Sequence, residues 1–242
     1  TGNEAEDVKS QTRAFKIGVK AEKVNEALRF VDTKIGTLIT ALKSQNLLDK
    51  TNIVILGDHG QINVSHLFNL NKLFYDRGLI DVDDQGKITG WRLYAQSCAF
   101  SAHIHVGPGM DLQTAASILA EIQQQYPQEI EKIWTAEEAL AQWHMQGDFQ
   151  FVIEAATTVS FGKNLKGELI ESVDNSDYKF SVATHGHLPT KGDKPPFILS
   201  GPDIKMGMQI CGAKLVDEAP TIMKIYGITM ENIDGCPLDV VR

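Results

Sequence analysis

Ile53-Val54-Ile55-Leu56-Gly57-Asp58-His59-Gly60 runs four apolar residues straight into an Asp-His pair bracketed by glycines. An unbroken apolar run of this length, closed by turn formers, predicts a strand buried on both faces within a parallel sheet. What precedes it agrees. From Lys20 to Lys43, the residues Val24, Leu28, Val31, Ile35, Leu38, Ile39 and Leu42 recur at steps of three and four, the pattern of one face of a long amphipathic helix. A loop carrying Asn46 and Asp49 joins the two. Helix followed by buried strand is an α/β signal. The polar pair then falls at the strand's carboxyl end, where open α/β sheets take their ligands.

Working outward, the texture changes near Asn69. A short helix ending at Gly78 is expected, then small strands over Lys87 to Trp91 and Ala99 to Val106. A helix should open at Leu112 with Asp111 as its cap and stop before Pro127. A short strand, Glu131 to Trp134, leads into Thr135-Ala-Glu-Glu138, which has the spacing of a capping box and should start another helix. The alternating stretch Asp148 to Glu154 reads as a further strand. This order predicts an α+β cap insert over residues 67–180, with a ferredoxin-like arrangement as one expectation. The core would then comprise residues 1–66 and 181–242. Its return is marked by the apolar strand Phe197-Ile-Leu-Ser-Gly-Pro202 and by a helix that follows Asp217-Glu-Ala-Pro220 and closes at Gly227.

Bulk properties narrow the function. Twenty-three basic against thirty-one acidic residues give a net charge of −8, which disfavours a duplex nucleic-acid binder needing a broad basic face. A small anionic substrate stays open, because bound cations reverse a local field. Cys98, Cys211 and Cys236 are far apart and suggest neither a disulfide framework nor a structural zinc site. No apolar run approaches the roughly 18 residues that span a bilayer. The chain is therefore read as a soluble segment without a signal-peptide pattern; it begins at Thr1, and its compartment is left open.

Chemistry concentrates in two clusters. Asp58 and His59 offer one oxygen and one nitrogen donor, a set suited to zinc or a similar divalent ion, and Gly57 and Gly60 allow a sharp turn around them. Thr184-His185-Gly186-His187-Leu188-Pro189 places two histidines one residue apart in a turn-rich loop, where neutral imidazole can reach a metal. His103 and His105 should face one side of a cap strand. His66 and His144 read as surface or helix-end residues, and Trp91, Trp134 and Trp143 as cap packing. Thr184, Lys191 and Lys194 fit either a phosphate contact or a solvated loop, with the loop the expected case. Asp203 and Lys205 read as surface charges.

The chain resembles the type I phosphodiesterase and nucleotide pyrophosphatase family of the alkaline phosphatase superfamily. The resemblance is carried by Ala27-Leu-Arg-Phe-Val-Asp-Thr-Lys-Ile-Gly36, Leu47-Leu-Asp-Lys-Thr-Asn-Ile-Val-Ile-Leu-Gly-Asp-His-Gly60, Thr184-His-Gly-His-Leu-Pro189, Phe197-Ile-Leu-Ser-Gly-Pro202 and Ala219-Pro-Thr-Ile-Met-Lys-Ile-Tyr-Gly-Ile228. It implies an alkaline-phosphatase-like parallel sheet flanked by helices, and a hydrolase of phosphodiester or pyrophosphate bonds that uses two divalent ions, usually zinc. It also implies that Asp58 and His59 bind one ion and that His185 helps to bind the other; His187 is an additional candidate. The implied partner is a small phosphorylated substrate.

Two departures qualify this. The family's nucleophile and first metal-binding Asp belong to a segment upstream of the helix near Lys20, so no catalytic residue is assigned in this chain. Where the family has an Asp and, four residues on, a His before a glycine equivalent to Gly18, this chain has Gln11 and Phe15; a register using Asp7 again puts Gln11 in the histidine's place. The chain alone is accordingly expected to show little or no catalysis. Two other readings stand beside the first: a non-catalytic, metal-depleted binding domain that keeps the fold, and a related phosphomutase or sulfatase.

Overall fold

The structure, a computed structural model, describes residues 22–173 and 182–242. Asp7, Gln11 and Phe15 lie outside the described residues. In chain order the helices are α1 (Glu22–Ser44), α2 (Leu70–Asp76), α3 (Leu112–Gln125), α4 (Ala136–Trp143) and α5 (Glu218–Ile225). The strands are β1 (Ile53–Leu56), β2 (Ile62–Asn63), β3 (His66–Phe68), β4 (Ile80–Val82), β5 (Ile88–Trp91), β6 (Leu93–Cys98), β7 (Ser101–Val106), β8 (Ile130–Thr135), β9 (Phe151–Ala155), β10 (Val159–Phe161), β11 (Ile170–Ser172), β12 (Ala183–Thr184) and β13 (Phe197–Ser200). The described residues divide into two compact units, residues 22–26 with 60–173 and 182–193, and residues 27–59 with 194–242.

The 60–193 unit is built on a four-stranded antiparallel sheet in the order β6-β7-β9-β8. Strands β7, β9 and β8 with α3 form the split β-α-β of a ferredoxin-like fold. The difference lies in the fourth strand: β6 precedes this motif in the chain, and α4 stands between β8 and β9. Alternation decides the faces. Leu93, Ala95, Ala102, Ile104 and Ile153 turn to one side and are essentially inaccessible, packing with Phe74 of α2 and with Leu119 and Ile122 of α3. Trp134 and Val152 turn to the other side and are covered by Ala139 of α4 and by Phe149.

The helices begin and end for local reasons. The Asp111 carboxylate accepts the Thr114 N–H at 2.8 Å, and α3 stops before Pro127, which cannot continue it. Thr135 Oγ1 accepts the Glu138 N–H while Glu138 accepts the Thr135 N–H, a closed capping box; α4 ends where His144 adopts a left-handed conformation. Strand β6 lay outside the expected elements. Its alternation is blunted by the small residues Ala95 and Cys98; besides its ladder with β7 it is held by buried Asn71, whose side chain clamps both the N–H and the carbonyl of Ala95 at 2.8 Å.

In the other unit the apolar run is the strand β1, but two details of the expectation are corrected. Its partner is β13, antiparallel, with Ile53 opposite Ser200 and Leu56 opposite Phe197. It is also only partly covered, with Leu56 exposed. An apolar run reports a preference for burial and carries no information about which strand will pair with it. Alongside β1, the stripe Val31, Ile35, Leu38 and Leu42 of α1 faces a groove of about 710 Å³. Helix α5 takes Pro220 in its first turn, where the missing N–H has no intrahelical acceptor in any case.

Candidate functional site

Asp58 and His59 leave β1 in irregular backbone. Gly57 donates its N–H to the Pro196 carbonyl at 3.0 Å, and a Cβ at that position would press on Pro195 and Pro196. Of the two glycines in the Gly-Asp-His-Gly stretch, Gly60 is required by close packing, because a Cβ there would run into the Asp193 carbonyl oxygen. The two side chains meet, with His59 Nε2 at 3.5 Å from Asp58 Oδ2, and Asp58 is largely open to solvent. Two donors about 2.0–2.1 Å from one tetrahedral ion stand about 3.3 Å apart. The pair therefore has the donor types and the bite of two ligands to a single divalent ion, and equally the geometry of an ion pair.

His185 and His187 belong to the 60–193 unit. Strand β12 pairs with β2, Thr184 opposite Ile62, and delivers His185 just past the ladder. Phe100 N–H approaches the His185 carbonyl at 3.4 Å. Gly186 has φ +88°, and a Cβ there would strike the Cys98 carbonyl oxygen, so only glycine fits between the histidines. His185 is exposed, whereas His187 is half-buried, its ring edge-on to Phe100 at 5.8 Å. His187 Nδ1 lies 3.0 Å from the Leu188 carbonyl oxygen. A carbonyl can only accept, so Nδ1 carries the proton and Nε2 presents a lone pair, which is buried and without a hydrogen-bond partner among the described residues.

The loop's far side overturns one expectation. Lys191 is neither solvated nor open to phosphate: its ammonium is buried to 11 % exposure and bonds Glu154 Oε1 at 2.8 Å, Glu131 Oε2 at 2.7 Å and the Ala155 carbonyl at 2.8 Å. Three N–H donors meet three acceptors. Glu154 Oε1 also accepts the Leu188 N–H at 3.0 Å, and Glu154 itself is 2 % exposed. Burial pushes its carboxyl above the ordinary glutamate range, against the opposing pull of Lys191 and the Leu188 N–H. Sequence reading missed Glu154 as a functional candidate. The available signal was a single carboxylate inside the otherwise apolar run Phe151-Val-Ile-Glu-Ala155.

The other histidines sort as follows. His103 and His105 share a face of β7; His105 Nε2 is 3.1 Å from Gln96 Oε1, while burial and then the neighbouring His105 hold His103 below the ordinary histidine range. His144 ends α4, as expected. His66 is corrected: it sits in β3, partly buried, with Nε2 3.9 Å from the carboxylate of buried Glu129. Asp203 is exposed, as expected of a surface charge, and accepts a hydrogen bond from Asn52 Nδ2 at 2.7 Å. Among the described residues no group of three or more His, Cys, Asp or Glu side chains is gathered to hold a metal ion, and no helix is long and apolar enough to cross a membrane.

A mixed α/β chain with an Asp-His pair closing its apolar strand and a second histidine loop after an α+β sheet has known counterparts. Residues 13–188 match the family type I phosphodiesterase / nucleotide pyrophosphatase, and the chain belongs to that family. Among solved structures it is similar to murine ectonucleotide pyrophosphatase / phosphodiesterase 5, at a TM-score of 0.72 and 17% identity over 96% of this chain and 56% of that one. The human counterpart gives a TM-score of 0.70 and 17% identity over 93% and 54%. An inactive variant of the murine protein in complex with AMP gives 0.58 and 19% over 81% and 46%. These likenesses establish the alkaline-phosphatase-like fold. The chain spans a little over half the length of the first two structures it matches. No curated protein matches it in sequence.

Proposed function

We propose that this chain supplies part of the metal centre of a divalent-metal-dependent hydrolase of phosphodiester or pyrophosphate bonds, with residues 67–180 as its cap insert and residues 1–66 and 181–242 as its core. The observation that carries the reading is the Asp58–His59 pair, whose 3.5 Å separation suits two ligands of one ion. Family membership supplies the reaction class. In this reading Asp58 and His59 serve one zinc ion and His185 serves a second, with His187 as an additional candidate ligand. Bound there, the ions would supply charge neutralisation at the phosphoryl group and a lowered pKa for an attacking oxygen. The chain's own residues do the holding: an ionised carboxylate and neutral imidazoles, presented by backbone that glycines let turn tightly. No nucleophile is assigned among them.

The substrate class is a small phosphorylated molecule; one relative was solved with AMP. Dialysis of the purified chain against trace zinc, followed by elemental analysis, tests the proposal beside Asp58→Ala and His185→Ala. Bound zinc that each substitution diminishes supports it. An unmodified chain that retains no zinc sinks it and leaves a fold-retaining binding domain as the better account.

A further inference from the structure

Between His185 and Lys191 the chain forms no ladder, contains Pro189 and carries both histidines of the loop. Something else must fix its conformation, and the contacts form one connected series. Lys191 holds Glu154; Glu154 accepts the Leu188 N–H; the Leu188 carbonyl receives both the Lys191 N–H at 2.9 Å and the His187 Nδ1–H. Leu188 is thus the hub through which a charge pair buried against β9 reaches an imidazole ring.

We propose that Glu154, set by Lys191, is a positioning residue for the His185–His187 loop: it fixes Leu188, whose carbonyl in turn sets the ring orientation and tautomer of His187. A buried ion pair seldom adds stability over an apolar substitute of similar volume, so conformational definition is the better account of this one. The tautomer it selects leaves Nε2 bare, as a metal ligand must be, with a backbone carbonyl as its outer partner. That this positioning serves metal binding rests on the function proposed above; the positioning itself does not.

The test uses the 242-residue chain, isotope-labelled and free of metal, near neutral pH. Imidazole nitrogen spectra report the His187 tautomer, and amide hydrogen exchange reports Leu188. In the unmodified chain and in Glu154→Gln, which keeps an acceptor oxygen, His187 should show a protonated Nδ1 and a bare Nε2. In Glu154→Leu the signals should average toward those of free histidine, and Leu188 exchange should rise roughly tenfold or more, as expected when a buried donor loses its acceptor. Lys191→Met, which removes the buried ammonium that holds Glu154 and leaves the Glu154 side chain itself in place, should shift both readouts in the same direction. An unchanged tautomer and unchanged Leu188 exchange in Lys191→Met overturn the proposal even where Glu154→Leu fails to fold. A separate zinc titration distinguishes the two readings: no response of His185 in the unmodified chain counts against the metal centre alone, while the metal-free comparison still stands or falls by itself.

Discussion

The two compact units treat their apolar residues in opposite ways. Residues 60–193 enclose Phe68, Phe74, Phe100, Ile104, Ile122 and Ile153 completely, and among the described residues their exposed large apolar side chains are few: Leu112, Leu140 and Ile170. Residues 27–59 and 194–242 bury few apolar side chains, among them Ala27, Ile204, Val240 and Val241, while Leu28, Leu38, Leu56, Ile198, Met206 and Tyr226 stand open to between 48% and 84%. Helix and strand form in both. Local pattern therefore decides which elements form and which face seeks burial; whether that face is covered depends on chain packed from elsewhere.

The sharpest way to break this contrast is to remove the same kind of volume from each unit. Ile104→Ala should cost about 2–5 kcal/mol, because a fully enclosed side chain leaves a cavity behind. Leu38→Ala removes a side chain that is 67% exposed and should stay within about 0.5 kcal/mol. Native-state hydrogen exchange, read on amides of β7 and of α1 separately, gives the two numbers. Equal costs would mean that the exposed stripe of α1 is in fact covered.

A single methyl group makes a smaller and sign-changing comparison. Gly186→Ala puts a Cβ against the Cys98 carbonyl at φ +88° and should destabilise the 60–193 unit by about 1–3 kcal/mol. Gly36 lies inside α1 with nothing within 4 Å of a built Cβ, so Gly36→Ala should stabilise that helix by about 0.5–1 kcal/mol. Thermal unfolding of the two variants checks both signs. A stabilising Gly186→Ala would show that the loop between the histidines is not held as the structure has it.

What was legible follows the same division. The caps at Asp111 and Thr135 and the stop at Pro127 were readable because they act within a few residues, and the structure contains both helices they bound. The β1 run and its Asp-His ending were readable for the same reason. The antiparallel partner β13 was not, since pairing joins residues about 140 positions apart in sequence and any apolar run would serve. Strand β6 escaped because its alternation is blunted, and the clamp that adds to its pairing with β7 comes from Asn71, a polar residue 24 positions away. Lys191 was misread because a lysine in a polar loop looks solvated until its buried acceptors are known. The histidines themselves were found by residue type, but the series Glu154, Leu188 and His187 exists only in three dimensions.

The smallest expected effect sets the units against each other in pH. Glu154 is pushed above the ordinary glutamate range, chiefly by burial. Its folded form thus holds a proton more tightly than the unfolded chain does, so its contribution to stability is complete below the ordinary value and is lost as pH rises through the elevated one. Asp217 is held below the ordinary aspartate range by the N–H groups of Cys236 and Lys214, each donating at 2.9 Å. Its contribution is complete above the ordinary value and is lost as pH falls through the lowered one. Neighbouring Glu218 is itself pushed up by burial, so single-site differences are needed rather than the pH profile of the whole chain. The unfolding free energy of the unmodified chain minus that of Glu154→Gln should therefore fall with rising pH just above the ordinary glutamate range. The same difference for Asp217→Asn should rise with pH just below the ordinary aspartate range, and only slightly, because solvent screens a half-exposed carboxylate. Denaturant titrations across the acidic range read both slopes, and slopes of the same sign would mean that one of the two carboxylates has been given the wrong surroundings.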